Sequence, residues 1–121
     1  MAAPNLVNVA TITAKSVQAA LTTTLTTEVL ANASSSGKVF KINNILIANI
    51  DGTNAVDVSV FITKSGGSPL AIASTISVPA DATLTVIDKD TGLYLEEGDN
   101  IEAGAGAASD AVITINYEEL S

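Results

Sequence analysis

The chain has 121 residues (12.2 kDa), which is enough for one domain with its own hydrophobic core. It contains no cysteine and no histidine, and this excludes serine–histidine triads, cysteine–histidine dyads and most zinc sites. Thirteen acidic residues face five lysines and no arginine, and the net charge of −8 therefore disfavours binding to nucleic acids and to acidic membrane surfaces.

The N-terminal residues 1–9 are predicted to form either an arm or a first strand. The tail contains Pro4 and shows no periodic pattern, whereas residues 6–14 alternate in the manner of a strand. An arm could add a strand to another subunit, and the candidate partner-binding residues are Pro4, Leu6, Val7 and Val9. We expect residues 10–121 to form a single β-sandwich domain. No signal peptide is predicted, because the N-terminus has neither a cationic region nor a long apolar stretch.

The clearest pattern is a predicted hairpin over residues 38–64. Its second arm places one apolar face toward the core and leaves the polar residues between for solvent, with Val56, Val58, Val60 and Ile62 on the first face and Asp57, Ser59 and Thr63 on the second. Its first arm is expected to bury the even-numbered Phe40, Ile42, Leu46, Ala48 and Ile50, although Ile45 and Ile47 make the other face apolar too. The Asp-Gly-Thr-Asn turn at 51–54 tolerates a reversing backbone.

Shorter patterns fill the rest of the chain. Strands are predicted near residues 17–23 and 26–31, and a strand that shares one face follows the hairpin with Leu70, Ile72, Ile76 and Val78. A last hairpin is expected to close at residues 108–110, while Gly104 and Gly106 predict a bulge or the close approach of another backbone. Eight or nine short strands with a turn about every ten residues predict an all-β, antiparallel two-sheet sandwich. A jelly roll is favoured, with an immunoglobulin-like arrangement as the alternative.

The remaining chemistry-bearing groups are carboxylates. An acid-rich stretch could offer oxygen ligands to calcium, and its members are Asp88, Asp90, Glu96, Glu97 and Asp99. Their spacing does not match an EF-hand loop, and the alternative is a pair of solvated turns at one end of the sandwich. Paired carboxylates also serve glycoside hydrolysis, but two Phe and two Tyr supply few platforms for a sugar. We expect no enzymatic activity and no cofactor.

Most of the chain is covered by five stretches that occur together, PNLVNVATI (4–12), IANIDGTNAVDVSV (47–60), IASTISVPADATLTVIDKD (72–90), LYLEEGDNI (93–101) and AASDAVITINYEE (107–119). With these stretches the chain resembles a group of small structural proteins of tailed bacteriophages, especially those of marine cyanobacteria. The match is weakest over residues 13–36. The resemblance implies a virion component with a β-sandwich fold, and it carries over no catalytic motif.

The expected role is decoration or cementing of the capsid shell, since a small acidic sandwich made in many copies fits the outside of a phage head. A neck, tail accessory or fibre protein is the alternative, followed by an acidic ligand-binding module for carbohydrate or calcium. The partners would be the major capsid protein or other virion proteins, and a homo-oligomer is expected. A mean hydropathy of +0.42 agrees with a subunit that hides apolar surface, but also with an alanine-rich β-domain. The protein would be made in the host cytoplasm and reside in the virion.

Overall fold

Alternating apolar and polar residues, interrupted by turns, produce nine strands in the part of the chain that the structure describes. The structure is a computed structural model that describes Pro4 and residues 7–121. The strands are β1 (Ile12–Ala20), β2 (Thr27–Ala31), β3 (Val39–Asn49), β4 (Val56–Thr63), β5 (Leu70–Val78), β6 (Thr83–Ile87), β7 (Leu93–Leu95), β8 (Asn100–Ala105) and β9 (Ala111–Leu120).

The strands form two antiparallel sheets that pack face to face. The first sheet has the order β1-β9-β3-β6, with β7 on the same edge of β3 as β6, and the second has the order β2-β8-β4-β5. The pairs are nested, because β4 pairs with β5, β3 with β6, β2 with β8 and β1 with β9, alternately in the two sheets. This wrapping of one long folded hairpin is the jelly-roll topology. The predicted two-sheet sandwich is confirmed, and the strand order favours the jelly roll over the immunoglobulin arrangement.

The predicted hairpin over residues 38–64 is wrong. Its two arms are β3 and β4, which lie in different sheets, so residues 50–55 connect the sheets rather than two paired strands. The predicted last hairpin fails in the same way, because β8 and β9 also lie in different sheets. Alternation identifies a strand with one buried face, and such a strand can either pair with its neighbour or pack against it across the core.

A bulge in β3 changes the face that this strand buries. Its register against β9 shifts between Ile42 and Asn44, so that one extra residue enters β3. Ile42 is buried as predicted, but beyond the bulge the fully buried side chains are Ile45 and Ile47. The predicted even-numbered face is therefore wrong after Ile42, and Ile50 is exposed.

The alternation in β4 is confirmed on its inner face and fails at one outer position. Val56, Val58 and Val60 are buried and Asp57 is exposed, while Ile62 and Thr63 at the end of the strand are both half-buried. Ser59 was expected to face solvent, yet it is only 3% exposed. Its hydroxyl accepts a hydrogen bond of 2.9 Å from the N–H of Thr75, where an irregularity in the register of β5 brings that backbone over the outer face of the sheet.

The first strand begins later than predicted. Residues 7–11 lie outside any strand, and Leu6 lies outside the described residues. The strands predicted over residues 6–14 and near residues 17–23 are one strand, β1, so their separation was wrong. The strand predicted near residues 26–31 corresponds to β2, and the threonine-rich residues between β1 and β2 form a loop. This loop runs against β8, because the carbonyl of Thr22 accepts a hydrogen bond of 2.9 Å from the N–H of Ala105. The predicted close approach of another backbone is confirmed at Gly104, which lies directly beneath Leu25.

Candidate functional site

The structure does not gather the five candidate calcium ligands into one site. Asp88 and Asp90 lie in the turn between β6 and β7, along the edge of β3, whereas residues 96–99 lie beyond β7 at the end where β3 begins. Within Pro4 and residues 7–121, no group of three or more acidic, histidine or cysteine side chains could hold a metal ion. The carboxylates hold the chain's own turns and loops instead.

Asp99 is the centre of a buried polar cluster at this end of the sandwich. Its side chain is 2% exposed and accepts hydrogen bonds from the backbone N–H groups of Ser65 (3.0 Å) and Glu96 (2.9 Å). The ammonium group of Lys64 donates a further, short hydrogen bond to the same carboxylate. A lysine therefore supplies the positive charge that a cation would bring, and it links the end of β4 to the turn before β8.

Asn32 completes the same cluster. It is almost fully buried, and its side-chain amide donates to the carbonyls of Lys38 (2.9 Å) and Leu95 (3.1 Å). Its backbone N–H donates to the carbonyl of Asp99 at 2.9 Å. Loops that are distant in the sequence are thus joined by groups whose hydrogen-bonding capacity is satisfied internally.

Three other candidate ligands, Asp88, Glu96 and Glu97, have partners within the chain, and Glu96 accepts a bond of 3.2 Å from Lys64. The carboxylate of Asp88 accepts from the N–H groups of Asp90 (3.0 Å) and Thr91 (2.9 Å), and these bonds hold the pKa of Asp88 below its usual value. Glu97 accepts from the N–H of Gly37 at 2.9 Å. Asp88 thus stabilises its own turn, as aspartate commonly does, whereas Glu97 joins two loops that are distant in the sequence.

At the opposite end of β3, Asn49 has a role like that of Asn32. It is buried, and its amide donates to the carbonyls of Asn54 (3.0 Å) and Val78 (2.9 Å), while its oxygen accepts from the N–H of Asp51 (2.9 Å). These bonds fix the start and end of residues 50–55, which connect β3 in the first sheet to β4 in the second. Sequence reasoning missed both asparagines, because an asparagine next to a turn has the same local pattern whether it is buried or exposed.

The ionisation of Asp99 should make the protein sensitive to acid. Burial alone would raise the pKa of Asp99, but the hydrogen bonds from Lys64, Glu96 and Ser65 lower it below its usual value of 3.8. The ionised carboxylate therefore stabilises the folded protein at pH values above the unfolded-state pKa. This contribution is lost as the pH falls through the lower, folded-state pKa. We expect the free energy of unfolding, measured with urea, to decrease between about pH 5 and pH 2.

The variant Asp99→Asn should lower the free energy of unfolding by about 2 kcal/mol at neutral pH, because an amide replaces the charged acceptor. Its stability should also fall less steeply in acid. Part of the decrease in stability at low pH should remain in this variant because of Glu119. Burial acts to raise the pKa of Glu119, but Lys38 and Lys15 lower it below its usual value. Asp90→Asn, in an exposed turn, is the matched control. Identical acid profiles for both variants would contradict the role of Asp99.

The candidate partner-binding residues precede two backbone hydrogen bonds that tie residues 10 and 11 to Ser121. The N–H groups of Ala10 and Thr11 both donate to the carbonyl of Ser121, at 2.7 and 2.9 Å. Upstream, Pro4 and Val9 are half-buried, the side chain of Val7 is 93% exposed, and Leu6 lies outside the described residues.

A shallow depression of about 350 Å³ lies on the first sheet, beside the bulge of β3. Its lining is polar and apolar in about equal parts and consists of Ala14, Lys15, Ser16, Asn43, Asn116 and Tyr117. Asn116 donates to the side-chain oxygen of Asn44 at 2.7 Å, and Lys15 forms a salt bridge of 3.2 Å with Glu119. The lining contains no carboxylate.

No known family model and no curated protein matches the chain. Across the described residues there is no helix with the length and hydropathy needed to cross a membrane.

One exposed apolar feature was not expected. The predicted common face of β5 is buried at Val78, but Leu70 is 71% exposed and Ile72 and Ile76 are about 40% and 39% exposed. The reason is that β5 is at the edge of its sheet, where an apolar side chain has neighbours on one side only.

Proposed function

We propose that this protein is a structural component of a tailed-phage virion and decorates or cements the capsid shell. The observation that carries the proposal is the resemblance of the five sequence stretches to small phage structural proteins. The jelly roll is compatible with this role, because a two-sheet sandwich offers broad faces and strand edges for contacts with a shell. The proposed partners are the major capsid protein or other virion proteins, and a homo-oligomer is part of the proposal.

The surface is a poor match to the alternative of a carbohydrate-binding module. Phe40 and Tyr117 are both buried, and their ring centroids are 5.1 Å apart. Phe61 is half-buried, which leaves Tyr94 as the exposed aromatic side chain. Aromatic side chains usually stack against sugar rings, so this distribution supports a structural role over sugar binding.

The copy number of the protein in purified particles tests the proposal. Quantitative mass spectrometry, scaled to the major capsid protein, should find on the order of hundreds of copies per particle, as the symmetry of a shell requires. About a dozen copies or fewer would indicate a neck or tail protein instead. Absence from purified particles would refute the virion role.

A second test concerns the N-terminal segment. If the segment is an arm, deletion of residues 1–9 should leave the melting temperature unchanged, and the backbone bonds of Ala10 and Thr11 to Ser121 remain in the truncated chain. The truncated protein should then lose its binding to particles that lack the wild-type protein, as measured by co-sedimentation. A truncated protein that unfolds would show that these residues belong to the core of their own domain.

A further inference from the structure

The free edge of β5 lacks the charges that usually protect an edge strand. Among the described residues β5 pairs with β4 alone, and residues 65–80 contain no charged side chain. Edge strands commonly carry lysine or other charges that prevent pairing with another chain, as Lys15 does in the edge strand β1. The exposed Leu70, Ile72 and Ile76 instead give β5 an apolar edge in a protein of net charge −8.

The sequence of β5 is nearly symmetric about Ser74. Two copies placed antiparallel across a two-fold axis at Ser74 would bring Leu70 opposite Val78 and Ile72 opposite Ile76 of the other copy. The residues between them are small, with Ala71 opposite Ser77 and Ala73 opposite Thr75. A two-fold interface needs such self-complementarity, because the same surface serves both partners.

The two register shifts between β4 and β5 discourage pairing with an arbitrary flat strand. A second copy of β5 has the same curvature.

We propose that the edge of β5 binds β5 of a second copy of this chain, antiparallel across a two-fold axis at Ser74. The two second sheets then join into one sheet that runs through both subunits. This inference deepens the homo-oligomer part of the proposed function and rests on it. Dimer formation is measured on the isolated protein, so its outcome is separate from binding to particles.

A single cysteine tests the geometry, because the wild-type chain has none. Residue 74 would lie opposite its own copy, close enough for a disulfide between the two chains. Ser74→Cys should therefore form a covalent dimer rapidly when oxidised with copper phenanthroline in air. Thr85→Cys, at an exposed position in β6, is the control for random collisions. Equal cross-linking of both variants would overturn the proposal.

A charge placed in the interface tests its energetics. Ile72→Lys should weaken self-association about tenfold or more in analytical ultracentrifugation, because it removes an apolar contact from each half and places two lysines in one interface. The melting temperature of the dilute monomer should change little, since Ile72 is partly exposed. If the wild-type protein is a monomer and Ile72→Lys only loses binding to particles, the shell covers this edge. That result would overturn the dimer and leave the virion role standing.

Discussion

Replacing Val58 with aspartate should unfold the domain or lower its free energy of unfolding by about 4 kcal/mol or more. Val58 is fully buried in the middle of β4, paired with Ile76 of β5 on one side and Ala105 of β8 on the other. A carboxylate at this position would have no cation and no water to stabilise its charge. Thermal or urea unfolding measures the effect directly.

The matched control for this variant is Thr85→Asp, at an exposed position in β6. It introduces the same side chain into a strand and should lower the free energy of unfolding by no more than about 1 kcal/mol, which is the range of strand propensities. Ser59, next to Val58, is unsuitable as a control because it is buried and bonded to Thr75. If the Val58 and Thr85 variants melted at the same temperature, the assignment of the inner face of β4 would be wrong.

Replacing Gly104 with alanine should lower the free energy of unfolding by about 3 kcal/mol, although only one methyl group is added. A Cβ atom at Gly104 would overlap the Cα atom of Leu25 and approach the carbonyl oxygen of Thr24 to 2.7 Å. Both are backbone atoms, so rotation of a side chain cannot relieve the overlap. The loop between β1 and β2 would have to move away from β8.

Gly106→Ala is the control for the same chemical change, two residues further along the chain. A Cβ atom there would lie 3.8 Å from the carbonyl oxygen of Asp57, which is an ordinary contact. We expect this variant to be neutral or slightly stabilising, because alanine restricts the unfolded chain more than glycine does. Similar losses of stability in both variants, compared by urea unfolding, would show that flexibility rather than space explains glycine at position 104.

These two experiments concern features that differ in how far the sequence could predict them. The buried face of β4 follows from alternation alone, and the glycine-containing strand β8 was expected to approach another backbone. That Leu25 provides this backbone could not be predicted, because the threonine-rich loop between β1 and β2 has no periodic pattern. The close contact joins two segments far apart in the sequence.

The acidic turns show the same limit for the candidate site. Composition identified Asp99 as a possible metal ligand, but its role depends on Lys64, a residue in another turn that the fold brings within hydrogen-bonding distance. A carboxylate in a turn has the same local sequence whether it binds an ion, a lysine or water. The partner becomes evident only when the ends of β4 and β7 are placed side by side.

The sequence by itself determined that this is an all-β chain, where most of its strands lie and which face of β4 is buried, because alternation and turn residues act over a few positions. Only the tertiary structure decided which strands pair, that β3 and β4 belong to different sheets, and that the bulge after Ile42 exchanges the faces of β3. Only the fold, too, left the apolar edge of β5 exposed. Strand pairing depends on contacts between distant segments, and the same alternating pattern is compatible with several partners until the whole core is packed.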